Sequence, residues 1–529
     1  MRSSSTLGVF VSLVLLACGG DSSDPAPENV PPAATAPSGS ESSEAPASAK
    51  PPSQIGIAAP TAFVVRAGGS MTFEVKLTRP ADAVGPTSFE ILDVPQGVAA
   101  QSTTDAKDVV TVTLDATAEA ALGDHPLRLR ASAGGIGGEV RAPLVVAGAP
   151  GTLDTTFGVA GIGAKLTDDF GHSLVLDRQG RALVTGGRLA AQKYESTMTR
   201  FLPNGSVDTS FGAGGTLKEV FTGGSMSMAH TSVLLDDGSI VVAGAILMAN
   251  NEPKTCFVKL DAAGKHIPAF GTAGQVCAPT SVSMPLHAAV VGPDGSIYAV
   301  GYAMTVDKDM SVMKVTKDGA IDATFGIAGR VTFASAGDQE PVGIAIDSAG
   351  RIVVGGRDLV DQKACAWRLD ASGNIDTTYG GGLAKGTTGM LGMEAYGMAL
   401  GPSDEVYLVG KTTGSQMAVV AFDAKGSMLS SFGSSGWITF ALSKSESLFG
   451  AVWDDGKLLL TGIGQAANAA EKQSLALRVG KDGQLDPTFT KNGFALYPTA
   501  GDAVSIGLSP GRATILTMRD GMQLMRVWR

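Results

Sequence analysis

Charge is scarce in this sequence. Asp, Glu, Lys and Arg together make up 17% of 529 residues, and the 40 Lys and Arg, outnumbered by 50 Asp and Glu, form no cluster. Binding nucleic acid by neutralising phosphates needs a basic stripe, so a net charge of −10 argues against that partner and leaves a basic one open. Aromatic residues are equally sparse at 6%, whereas Gly occurs 70 times. Such a composition disfavours long helices and fits many short strands joined by tight turns. Neither an HExxH zinc motif nor a Walker loop occurs, and the four cysteines form no CxxC pair, so no cofactor is expected. One chain of this length exceeds what a single ordinary core covers, so several domains or an array of repeats is expected.

Long apolar runs are missing too. The one candidate, Leu7 to Ala17 behind the single basic residue Arg2, is too short to span a bilayer and reads as a signal peptide, residues 1–17. Its end, Leu15-Leu16-Ala17-Cys18, resembles a bacterial lipobox, which implies lipidation (palmitate and diacylglycerol) at Cys18. Residues 18–53 are rich in Pro, Ser and Ala with almost no large apolar side chain, so they read as a disordered tether. Gly19 rather than Asp follows the cysteine, and by the same resemblance the outer membrane is the expected anchor site.

From residue 54 to 149 the pattern alternates with period two. In "SMTFEVKLTR" Met71, Phe73, Val75 and Leu77 share one face, and five further runs ("AFVVRA", "TSFEIL", "DVVTVTLD", "HPLRLRAS", "RAPLVVA") read as strands. Their number and spacing resemble the immunoglobulin-like β-sandwiches of exported bacterial proteins, without a Cys…Trp…Cys core. A spacer or adhesive role follows by analogy alone.

Residues 150–529 are repetitive. An aromatic residue that closes a DxxFG-like turn recurs at Phe157, Phe211, Phe270, Phe325, Tyr379, Phe432 and Phe489, with spacings of 54, 59, 55, 54, 53 and 57. Each unit carries four strand candidates separated by turns, which is the content of one propeller blade. The expected fold class is therefore all-β, a seven-bladed β-propeller preceded by an immunoglobulin-like β-sandwich. The last copy ends at "LMRVWR" without its aromatic-Gly turn and fourth strand, and that missing piece stands at the front as "GTLDTTFGVAGIGAKL". The phase implies a ring closed by its N-terminal strand, which leaves no open sheet edge. Whole units such as "RFLPNGSVDTSFGAGG" followed by "VLLDDGSIVVAG" resemble the delta-60 repeats of bacterial propeller-type proteins. That resemblance implies a fold and carries no general activity.

Three sets of residues are candidates for chemistry. A base precedes the motif Asp by eight positions in Arg200/Asp208, Lys314/Asp322, Arg368/Asp376 and Arg478/Asp486, while copy six has neither (Ala421, Leu429) and copy three keeps Lys259 opposite Ile267. Joint presence and joint absence read as a hairpin clip. Counting back eight residues from the turn after each first strand aligns His172, His230 and His287, with Val342, Tyr396, Leu448 and Ala503 in the other copies. Three imidazoles at one mouth of a channel can bind a metal ion or a carboxylate ligand. Cys256 and Cys277 fall on neighbouring antiparallel strands and can pair in an exported protein, whereas Cys365 has Gly386 where its partner would stand and reads as a buried free thiol.

Two function classes follow. The first is a non-catalytic cell-envelope lipoprotein, a monomer held to the membrane by its N-terminal lipid anchor, whose propeller binds a protein or glycan. The second is a periplasmic or surface hydrolase or lyase acting on glycans, its residues converging at the channel mouth from different blades. Paired carboxylates in one deep pocket would mark the second.

Overall fold

The computed structural model describes residues 53–304, 307–333, 337–386, 392–442, 444–466, 469–497 and 501–529. The signal peptide, Cys18 and the tether through residue 52 lie outside the described residues. Residues 53–529 form one compact unit built of strands and turns, with two single-turn 3-10 segments, Thr280–Val282 and Gly380–Gly382, among the described residues.

The N-terminal region folds into two four-stranded sheets. One orders Gly56–Ala58, Ser70–Thr78, Val109–Ala116 and Val98–Thr104, and the other Phe63–Arg66, Ile136–Ala147, Gly123–Ala133 and Ser88–Leu92. Period-two alternation sets the buried face: in Val109–Ala116 every second residue (Val110, Val112, Leu114, Ala116) is buried, and each of the three larger side chains contributes roughly 1.5–3 kcal/mol. In Ser70–Thr78 the inward face holds Val75, Leu77 and half-buried Phe73, whose ring meets Phe63 edge to face at 4.9 Å, while Met71 at the strand start is 50% exposed. Val98–Thr104 carries small and polar residues that give no hydrophobic signal, so its place as an edge strand is visible only in the structure.

Residues 162–528 form seven antiparallel four-stranded sheets, numbered here 1 to 7 in chain order of their first strands. Sheet 1 comprises Asp169–Leu176, Ala182–Ala190, Lys193–Phe201 and Thr216–Lys218. Sheet 7 takes Asp502–Ser509, Arg512–Met518 and Met522–Trp528 from the end of the chain and its fourth strand, Ile162–Leu166, from the beginning. The first strand of each sheet packs on the first strand of the next, and that of sheet 7 packs on that of sheet 1, so the series is cyclic. Each fourth strand is only two to five residues long, which keeps the outer edges short.

The repeated aromatic explains how sheets stack. Phe211 packs among Leu183 and Met198 of sheet 1 and Ile240 and Val258 of sheet 2; Phe157 does the same between sheets 7 and 1. All seven such rings are at most 2% exposed. The third-turn glycine of the next sheet sits over the ring at Phe157, Phe211, Phe270, Phe325 and Tyr379. At Gly264, φ is +84° and an added Cβ would stand 2.7 Å from the Phe211 ring, so both backbone and space require glycine.

The clips close as ion pairs: Arg200 to Asp208 at 2.7 Å, Lys314 to Asp322 at 3.0 Å, Arg368 to Asp376 at 2.8 Å and Arg478 to Asp486 at 2.6 Å. Each arginine also lies over the aromatic of its own turn, at 4.5 to 5.1 Å from the ring centre. Lys259, lacking an acid at Ile267, turns to Asp237 at 3.5 Å. A further clip joins the two ends of the repeat region: Arg526 Nε donates to Asp154 at 2.7 Å and lies 4.5 Å over Phe157. Asp154 is fully buried and also accepts from Arg512 Nε at 3.0 Å; Arg512 reaches on to Asp124 of the N-terminal sheets at 2.8 Å. Trp528 is buried against Val145 and Ala147 at the same junction.

Candidate functional site

Each first strand is irregular at one depth. The ladder slips by one residue between Gly171 and Ser173, Ala229 and Thr231, Leu286 and Ala288, and Pro341 and Gly343. The same slip falls between Ala395 and Gly397, Leu448 and Gly450, and Ala503 and Ser505. A bulge leaves one residue out of the ladder and re-aims its side chain. Here those residues are His172, His230 and His287, then Val342, Tyr396, Phe449 and Val504. Their predecessors Ala229, Leu286, Ala395, Leu448 and Ala503 are buried between sheets.

Two equivalences read from the sequence are thereby corrected: the counterparts of the histidines are Phe449 and Val504, not Leu448 and Ala503. The cause is the hairpin turn. Sheets 6 and 7 join their first two strands by two-residue loops, Asp454 pairing Lys457 and Ser509 pairing Arg512, where sheet 1 pairs Leu176 with Ala182. The turn glycine therefore comes one residue sooner after the bulge.

The bulge residues converge on a cavity of about 360 Å³ that draws lining residues from all seven sheets, including His172, His287, Val342, Tyr396, Phe449 and Val504. His230 adjoins it through Thr231 and through His172, whose ring centre is 5.4 Å away at a 36° tilt. Phe170 meets His172 edge to face at 5.5 Å, and Tyr396 lies 5.5 Å from Phe449. His287 faces the cavity with Tyr302 at 6.0 Å. Burial, then repulsion from His287, lowers the His172 imidazole to about 4; burial, then its two neighbours His172 and His287, lowers His230 to about 3. His287 is also lowered, by its enclosure, against the pull of Glu340. All three rings are neutral near pH 7, each able to donate and accept one hydrogen bond. Among the described residues no group of three or more His, Cys, Asp or Glu is arranged to hold a metal ion.

The charges beside this belt come in matched pairs that the sequence reading missed. Glu340, two residues before its bulge, lies directly across from Arg357 and bonds it at 2.5 Å, with Lys308 3.4 Å away. Glu394 lies across from Lys411, at 3.3 Å, and accepts from the Tyr396 hydroxyl. Burial would raise the Glu340 carboxyl, but the Arg357 hydrogen bonds and the adjacent cations prevail and hold it below its ordinary value. The sequence did carry a signal: in both copies a base follows the Glu by 17 residues, the cross-strand distance.

A second cavity, of about 420 Å³, lies between the turns of sheets 1 and 2. Its arginines are engaged locally, Arg181 with Asp177 at 2.6 Å, Arg178 with Asp236 at 3.3 Å and Arg200 in its clip. Residues 507–511 spell the G-x-S-x-G of a nucleophile elbow, but Ser509 closes a hairpin with Arg512 and its carbonyl accepts from Arg529, which is no strand-to-helix turn. Cys256 and Cys277 stand directly opposite on paired strands of sheet 2 and are joined by a disulfide. Cys365 is buried, which pushes its thiol well above the usual range.

Comparison with known proteins finds a propeller family over part of one sheet. The family described as "Domain of unknown function (DUF5122) beta-propeller" matches residues 292–325, which span the second and third strands of sheet 3 and its aromatic turn. No curated protein matches the chain. Among solved structures it is similar to the β-propeller domain of the Trilobed protease from Pyrococcus furiosus, at 10% identity and TM-score 0.38, covering 68% of this chain and 95% of that one. It is also similar to a quinonprotein alcohol dehydrogenase-like protein from Bacteroides thetaiotaomicron, at 9% identity and TM-score 0.34, covering 89% and 92%. The chain is an all-β protein containing a β-propeller.

Proposed function

We propose that this chain is a non-catalytic cell-envelope lipoprotein whose propeller is a scaffold for binding a protein or glycan. In this reading residues 54–149 are an immunoglobulin-like spacer, residues 150–529 a seven-bladed ring of delta-60-type repeats, and Cys18 carries the lipid that holds a monomer to the outer membrane. The observation that carries it is the cavity to which all seven first strands contribute, six of them through their bulge residues, while its one lining carboxylate, Glu340, is held by Arg357 and Lys308. A general acid working near neutral pH needs a raised carboxyl, and Glu340 is lowered. That counts against the hydrolase or lyase alternative. Purified protein is to be used as bait in envelope extract beside a Val342→Lys, Val504→Lys variant. Capture of a partner that the variant loses is the expected result; capture of nothing, or of the same material by both, would overturn the binding reading.

A further inference from the structure

We propose that the channel-mouth cavity is a subsite for one or two uncharged sugar units at the end of a glycan, held between the ring belt and the Glu340–Arg357 pair. This rests on the scaffold reading and names its ligand.

Size limits the occupant first. A volume of about 360 Å³ is near the lower end for ligand sites, which suits a small ring compound and is far too little for a folded partner's loop. Charge limits it next. The cavity's lining charges, Glu340 and Arg357, already satisfy each other, so an anion would have to displace Glu340 from Arg357 and a cation would meet the guanidinium. An uncharged polar molecule faces neither cost. Hydroxyl groups, which both donate and accept, match the polar lining: the neutral imidazole of His287, and the Glu340 carboxylate beside the Arg357 guanidinium. Finally, the face of a pyranose ring is lined by C–H groups and packs flat on an aromatic ring. Tyr396 and Phe449 supply adjacent rings inclined at 51° on one wall, and Arg357 lies 5.4 Å from the centre of the Tyr396 ring, so stacking and hydrogen-bonding groups meet at one place.

The test is calorimetric titration of the intact chain with neutral di- to tetrasaccharides of glucose, galactose, mannose and N-acetylglucosamine, and with galacturonate tetramers. A neutral sugar is expected to bind at least tenfold more tightly than galacturonate, and Tyr396→Ala or Glu340→Gln to weaken it at least tenfold. Val504→Trp, which fills the cavity from the sheet next to Phe449, is expected to abolish it and serves where Tyr396→Ala fails to fold. Preferential galacturonate binding, neutral-sugar binding that survives Val504→Trp, or no binding by any sugar overturns the proposal. The scaffold reading is judged separately: a protein captured from envelope extract, with every sugar silent, removes the sugar subsite and leaves the scaffold.

Discussion

Replacing Asp154 by Asn tests whether the ring is held at its junction by one buried carboxylate. Asp154 is fully buried and faces two arginines, Arg526 at 2.7 Å and Arg512 at 3.0 Å, each nearly buried itself. Burial already lowers the Arg526 guanidinium to about 10, and the Asp154 charge is what opposes that shift. Asparagine keeps the shape and the turn bond to Thr156 but leaves Arg526 without its anion and Arg512 with only the more exposed Asp124, a loss of about 3–5 kcal/mol by comparison with other broken buried pairs. With an unfolding entropy near 2.1 cal/mol/K per residue, a ring of this size melts about 1.3 °C lower per kcal/mol, so Asp154→Asn lowers the melting temperature by about 4–6 °C. The control is Asp208→Asn, which strands one arginine within a single hairpin, since Arg200 is its only cationic partner at 2.7 Å. Scanning calorimetry of both variants, with the Asp154→Asn, Arg526→Gln pair completing a double-mutant cycle, gives the answer. Equal shifts for Asp154→Asn and Asp208→Asn, or additive effects in the cycle, would refute the argument that the junction depends on this carboxylate.

Other expectations follow from the same geometry. Reducing the Cys256–Cys277 disulfide frees a loop of sequence separation 21 and costs about 3 kcal/mol, measured as a lower melting temperature with reductant that a Cys256→Ser, Cys277→Ser chain no longer shows. Because the folded imidazoles of His172 and His230 lie below the ordinary 6.5, the unfolded chain takes up their protons first, and stability falls as pH drops from 6.5 toward about 4 and about 3. The loss is roughly 1–2 kcal/mol after allowing for rings that face a channel, read from urea midpoints at pH 7 and 4.5, and it shrinks in a His172→Asn, His230→Asn chain. Gly264→Ala, at φ +84° against the Phe211 ring, is expected to cost about 1–3 kcal/mol more than Gly238→Ala, which has φ +80° and open space around it; equal urea midpoints would contradict the packing argument.

What the sequence disclosed depended on whether a feature left a local mark. The strands of sheets 1 to 7 showed as apolar runs between turns, and the clips showed because Arg200 and Asp208 lie eight residues apart on one hairpin. The clip between Arg526 and Asp154 has the same geometry with a separation of 372, so no local spacing could reveal it. Bulges leave no mark in composition. That is why a count from the turn glycine reached Leu448 and Ala503, each one residue short of the side chain that enters the channel. The histidines were visible through their rarity and equivalent spacing, whereas Glu340 and Arg357 were hidden among ordinary surface charge until their register placed them face to face.

The pairing of Ile162–Leu166 with Met522–Trp528 also sets an order of events. Contacts between residues 162 and 525 cannot form until the last strand exists, so the first strand of the ring region waits unpaired while the six sheets between are made. A nascent chain therefore carries an exposed strand edge at each end of the ring region, the kind of edge that recruits foreign strands. Arrival of the final eight residues removes both edges in one step, and an interrupted chain is left marked by the strand it could not cover.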